Sequence, residues 1–277
     1  MYIIIIMVRV AICLFGNLGH TERSGNRTPK IIGKENLNEN LLNEPGAYHN
    51  PESGYKHLKN KIIDNYDTDV FCHCWNTEAE DSIKKLYKPK KYLFEQQKSF
   101  DLSLDKYNID ENERDIDKWK HLSENAKKGY KYAFQTRNNW NRTIEVFKIQ
   151  AFRTSSRWYS TKEVLRLKNE YEKENNFEYD FVLICRYDSF WNFPHHDKKN
   201  TNILFDLLKL DTKYTYVESR GNRIDAKISV QDLWILTNSK DSNYFLNMFD
   251  ERTNYCIRCP ISIKEIIDKY KIPYKLI

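Results

Sequence analysis

The sequence predicts an α/β fold, one domain with a mainly parallel central sheet covered by helices. Three observations carry this expectation. The run "YDFVLIC" at 179–185 is apolar almost without interruption, as in a strand buried on both faces. Two further short apolar runs, "VRVAICLFG" and "DVFCHCW", are separated from it and from each other by helical or loop-rich stretches. Strand, helix, strand order repeated in this way implies parallel strands joined by covering helices.

Taken in order, Val8–Phe15 reads as the first strand, with residues 1–7 as an extension. "MYIIIIMVRVAICLFG" has no basic leading region and no small-residue cleavage site, and Arg9 interrupts it short of the roughly 20 residues a bilayer needs. No signal peptide or membrane span is therefore expected. Asn17 to about Lys56 reads as a long loop, of a length usually kept for function. "GYKHLKNKIIDNY" is a helix with Leu58, Ile62 and Ile63 at partial i, i+4 spacing, and "DVFCHCW" is the second strand.

"TEAEDSIKKLY" has acids in its first turn and lysines near its end, which complements a helix dipole. "KKYLFEQ" suits a short third strand, and acidic 101–118 suits a surface excursion. A helical region is expected from Trp119 to Gln150. A separate helix follows in "SSRWYSTKEVLRLKNEYEKEN", where Ser160 and Glu163 fit a capping box and Val164, Leu167 and Tyr171 share a face with Ser160. Beyond Phe193, "TNILFDLLKL", "KDSNYFLNMF" and "ISIKEIIDKY" read as helices, and "KYTYVES" and "DLWILTNS" as strands.

Composition narrows the functional classes. Aromatic residues make up 14% of the 277, which excludes a disordered chain. The net charge of +6 comes from 45 basic and 39 acidic residues whose signs are interspersed, so a mixed solvated surface is expected before a dedicated nucleic-acid groove. Cys13, Cys72, Cys74 and Cys185 sit in apolar runs and suit free thiols in a core, while Cys256 and Cys259 form one C-x-x-C with no second pair at zinc spacing. A reducing, cytoplasmic location is the default.

Ligands of parallel sheets bind beyond the carboxyl ends of the strands, where the loops diverge. Three runs end there in polar or small residues: Gly16 and Asn17, then His73 and Trp75, then Arg186 and Asp188. Each has a plainer alternative. Gly16 can simply turn the chain, and no G-x-G-x-x-G spacing accompanies it. His73 and Trp75 can be core residues at a sheet end. Arg186 and Asp188 can pair locally, although an exposed pair contributes only about 0–1 kcal/mol, a poor reason to place it at a strand end. A carboxylate there suits a nucleotide diphosphate held through Mg²⁺ or Mn²⁺, and Arg186 suits a phosphate oxygen. Trp75, Tyr159 or Tyr187 could stack on a base or sugar ring.

Four blocks, "VAICLFGN", "DVFCHCWNTEAEDSIKKLYKPKKYLFEQQKSF", "SRWYSTKEVLRLKNEYEKENNFEYDFVLICRYD" and "DLWILTNSKDSNYFLNMF", resemble a group of glycosyltransferases encoded by large DNA viruses and by bacterial surface-polysaccharide loci. Members of that group read G-x-x-R near the start, D-V-F-x-H-x-W at the second strand, W-Y-S before an R-x-D, and D-x-W before a Ser/Asn turn. The resemblance implies a GT-A-like (Rossmann-like) fold. Residues 1–193 would form the nucleotide-sugar-binding half and 194–277 the acceptor side of the same domain. A nucleotide-diphosphate sugar donor and a glycan acceptor would be the partners, with Mg²⁺ or Mn²⁺ on Asp188, and no specific nucleic acid. For a viral member the compartment would be the host cytoplasm.

Where GT-A enzymes carry D-x-D this chain has Arg186 and Asp188, so Asp188 either binds the cation alone or Arg186 replaces its charge. Arg23, further from Gly16 than G-x-x-R requires, would take the early arginine's role. Asp232 would be the general base toward the acceptor hydroxyl or, equally, a carboxylate capping the loop before its strand. The rival class is a noncatalytic protein holding an anionic polymer, nucleic acid or polysaccharide. An inactive transferase fold lies between the two.

Overall fold

A computed structural model describes residues 8–18, 51–101, 103–110, 112–113, 115–118, 124–134, 140–187, 206–219 and 227–277. Its centre is a seven-stranded sheet built from β1 (Arg9–Gly16), β2 (Asp67–Cys74), β3 (Lys91–Phe94), β4 (Phe181–Arg186), β5 (Thr215–Val217), β6 (Trp234–Thr237) and β7 (Tyr274–Leu276). The spatial order is β3-β2-β1-β4-β6-β5-β7. β1 pairs in parallel with β2 and β4, β2 with β3, and β5 with β7, whereas β6 is antiparallel to both β4 and β5. The expected α/β, mainly parallel, Rossmann-like sheet is thus present. The chain runs outward from β1 to β3 and then returns to place β4 on the other side of β1, so a topological switch point lies between β1 and β4.

Continuous apolar strands demand cover on both faces. On one face Ile12, Leu14, Cys72, Cys74, Leu183 and Cys185 pack against α1 (Glu52–Leu58), the π-turn Lys59–Ile63 and α2 (Glu80–Tyr87). Alternate residues Cys13, Phe15, Phe71, Val182 and Ile184 meet α4 (Trp140–Asn175), α5 (Ser239–Leu246) and α6 (Cys259–Lys269) on the other. The second half of the chain shares this sheet, because Val182–Cys185 of β4 pair with Trp234–Thr237 of β6. All four strand cysteines are free and buried. Among the described residues no helix is long and apolar enough to cross a membrane.

Three local expectations are corrected. The two helices expected on either side of residues 151–154 are one helix of 36 residues, α4, preceded by the shorter α3 (Glu124–Phe134). No glycine or proline interrupts α4, and its mid-helix hydroxyls find tertiary partners. Thr154 donates to the Ile257 carbonyl, Ser155 bonds the Tyr107 hydroxyl at 2.9 Å and Ser156 donates to Gln97 at 2.9 Å. Ser160 therefore caps no helix; its hydroxyl bonds His73. The 101–118 excursion is not merely superficial either. Leu104, Tyr107, Ile109 and Ile116 are buried with Tyr130, Phe147 and Ala151 in a third core cluster. Of "TNILFDLLKL", Leu207–Lys209 forms a single 3-10 turn capped by Asp206, and residues 201–205 lie outside the described residues.

Candidate functional site

The strand directions bring the ends of β1, β2, β3, β4 and β5 and the start of β6 to one edge. Gly16 sits at the switch point with φ +96, a conformation glycine adopts readily, and a Cβ built on it meets open space. Its carbonyl accepts from Trp75 N at 3.3 Å. Leu18 N donates to Asn76 Oδ1 at 3.0 Å, so the turns after β1 and β2 are tied together. Asn17 is half-buried between them. Phe15 stands opposite Arg186 in the β1–β4 register.

Arg186 is partly exposed, and its backbone N–H reaches the Leu233 carbonyl at 3.2 Å, joining the end of β4 to the approach to β6. Because β6 runs against its neighbours, Asp232 arrives at this edge as well. Arg157, from the middle of α4, lies with its guanidinium 4.8 Å from the centre of the Phe15 ring. It donates to the Asp232 carbonyl, and the same nitrogen stands 3.8 Å from the Asp232 carboxylate. Burial pushes up the Cys259 thiol at the start of α6, and the charges of Arg157, Asp232 and Arg186 all act on it. Those three groups therefore share one neighbourhood.

His73 and Trp75 lie behind this edge rather than on its open surface, at 0% and 1% exposure. Trp75 stacks on Tyr159 with ring centres 5.4 Å apart, and His73 meets Trp75 edge-on at 4.6 Å. Glu95, just past β3, is 3.1 Å from His73 Nε2, and Lys98 lies 3.0 Å from Glu95 and donates to the Tyr159 hydroxyl. Burial keeps the His73 imidazole below its ordinary value. Its neutral form then donates from Nε2–H to Glu95 and accepts the Ser160 hydroxyl at Nδ1. Burial opposes ionisation of Glu95, yet hydrogen bonds from His73, Lys98 and Tyr159 outweigh it and bring the carboxyl down to about 2.

Two residues at this edge escaped the sequence reading. Arg157 is part of the same "SRWYS" that drew attention to Tyr159, but only the fold shows it reaching Asp232. Glu218 directly follows β5 as Asn17 follows β1, so the strand-end criterion reaches it too, although "KYTYVES" by itself predicts only a strand. The Glu218 carbonyl accepts from Gln231 N at 2.9 Å, beside Asp232. Burial, then the charge of Asp232, push the Glu218 carboxyl up to about 7. Asn17 Oδ1, Trp75 Nε1 and Glu218 Oε2 are buried polar atoms with no hydrogen-bond partner among the described residues. Such atoms are costly unless something else satisfies them.

Arg23 and Asp188 lie outside the described residues, and with Asp188 the expected metal ligand. Among the described residues no three His, Cys, Asp or Glu side chains gather as a metal site.

The fold and this edge define an α/β protein with a Rossmann-like sheet and polar residues gathered at its switch point. No protein-family model, curated protein or solved structure matches the chain.

Proposed function

We propose that the chain is a nucleotide-sugar-dependent glycosyltransferase of GT-A-like fold, moving a sugar from a nucleotide-diphosphate donor to a hydroxyl of a glycan acceptor. The observation that supports this best is the meeting of Gly16, Asn17, Arg186 and Asp232 at the β1–β4 switch point, the place where open α/β sheets bind nucleotides. The resemblance of the four sequence blocks points the same way.

In this reading Gly16 leaves room for the donor to approach the backbone, and Asn17 Oδ1 accepts from it. Arg186 offers a planar pair of donors to the diphosphate, while Asp188 supplies a carboxylate for a divalent cation if one is used. The cation would neutralise phosphate charge. Trp75 and His73 act from beneath, holding the aromatic wall that carries Tyr159.

Calorimetric titration with a panel of UDP- and GDP-hexoses tests the reading. Wild type is expected to bind at least one of them. Arg186→Ala should bind it about 10-fold or more weakly, the consequence of losing a charge-assisted hydrogen bond of about 1.5–3 kcal/mol. Asp188→Ala belongs in the same series. Absence of binding by wild type would overturn the proposal, as would equal binding by both variants.

A further inference from the structure

The edge holds two carboxylates in unlike surroundings. Asp232 is fixed twice by one cation, since Arg157 Nη1 donates to its carbonyl and lies 3.8 Å from its carboxylate. Arg157 itself is only 7% exposed and packs over Phe15, so it cannot swing away without leaving a buried charge. No cation among the described residues pairs with Glu218. Its backbone is tied to Gln231 and its Oε2 is buried without a hydrogen-bond partner among the described residues. Around Asp232, which precedes β6, stand Arg157 from α4, Arg186 from β4 and Cys259 from α6. Of these, Asp232 is the charge that acts on Glu218.

From this geometry we propose that Glu218 is the catalytic residue that exchanges the acceptor's proton, and that Asp232, clamped by Arg157, is its positioning residue. The inference rests on the glycosyl-transfer reading and reassigns within it the role that the sequence gave to Asp232. The step balances simply. The acceptor O–H bond breaks, its oxygen bonds the sugar's anomeric carbon, and the bond from that carbon to the diphosphate breaks. The diphosphate leaves with the electron pair, and the proton passes to the Glu218 carboxylate. An anionic neighbour and a half-dry setting make Glu218 more basic than an ordinary carboxylate, and environments that set two carboxylates apart also divide their roles. With its carboxyl at about 7, Glu218 is poised to take up and return a proton near neutral pH.

The test measures UDP or GDP release from UDP- and GDP-hexoses, with water as the acceptor, across pH 5–9. Donor affinity is measured alongside. Glu218→Gln should keep donor affinity within about 2-fold, lower turnover by about 100-fold or more, and lose the acidic limb of the pH profile. Asp232→Asn should retain an acidic limb, moved to lower pH because the anion beside Glu218 is gone. Glu218→Gln with wild-type turnover, or an acidic limb in Asp232→Asn unmoved from wild type, would overturn the assignment while leaving glycosyl transfer intact. Wild type that binds none of the donors would instead overturn the transfer reading, and this role with it.

Thermal melts give a readout independent of substrate. Glu218 takes its proton more readily folded than unfolded, where the ordinary value is 4.5. Its contribution to stability is full below about 4.5 and lost as pH rises through about 7. Wild type should therefore lose melting temperature relative to Glu218→Gln across that window. Parallel curves would count against the raised affinity for a proton on which the proposal draws.

Discussion

Ser160, His73 and Glu95 line up as hydroxyl, imidazole and carboxylate, an order that in other settings activates a nucleophile. Here Ser160 is 0% exposed and lies within α4, so no substrate reaches it. The trio instead braces the end of β2 against α4 beneath the Trp75–Tyr159 stack. Its titration has a defined sign. Glu95 releases its proton more easily when folded, so the stability it contributes is present above its ordinary 4.5 and lost as pH falls toward about 2. His73, held neutral by burial, adds a loss in the same direction that begins as pH drops below its ordinary 6.5. Glu95→Gln should flatten the decline in melting temperature between about pH 4.5 and 2, read by circular dichroism. A decline as steep as wild type would refute the brace. The Glu218 trend runs the opposite way, so the two carboxylates respond oppositely to acid.

At the scale of elements, α4 does the most organising. Spanning about 54 Å at 1.5 Å per residue, it covers the third core cluster with its first half and the sheet with its second. Continuity through residues 151–156 aims Arg157 and Tyr159 at the strand ends. Ser156→Pro would remove a helical hydrogen bond and crowd the preceding turn, at a cost of about 3 kcal/mol or more. Ser156→Ala, which loses the bond to Gln97, should cost about 1 kcal/mol. Urea denaturation of both variants checks this. Equal, small effects would return the chain to two helices joined by a loop.

At the scale of the whole molecule, β6 inserts between β4 and β5, so the two halves of the sequence complete one sheet. Removing everything after Tyr187 would expose the hydrogen-bonding edge of β4 and uncover Val182 and Ile184, which α5 and α6 help to bury. An unpaired apolar edge invites aggregation. The full chain should melt in one transition by both far-ultraviolet dichroism and tryptophan fluorescence, whereas a fragment ending at Tyr187 should show no cooperative transition. A fragment that melts cooperatively would mean that the first half folds alone.

How much of this could be read in advance depends on the range of the interactions. Apolar runs such as "VRVAICLFG" and "DFVLIC" declare buried strands because burial on two faces leaves no room for polar alternation, and their polar ends marked Gly16, Asn17 and Arg186 as an edge. Local patterns also located α2, α5 and α6. The join in α4 was not legible, because Ser160 and Glu163 fit a helix start until His73 takes the Ser160 hydroxyl and Ile257, Tyr107 and Gln97 partner Thr154, Ser155 and Ser156 from distant parts of the chain. Nor could Glu218 be told apart from any other strand-end carboxylate. Its character comes first from burial and then from Asp232, fourteen positions away in sequence yet brought to the same edge by β6. Which segments become strands is, β7 (Tyr274–Leu276) apart, a matter of near neighbours and was written in the sequence; β7 is a strand only because β5 pairs with it. Which charges meet was decided by tertiary structure, because the antiparallel course of β6 alone brings Asp232 to the edge where β4 and β5 end.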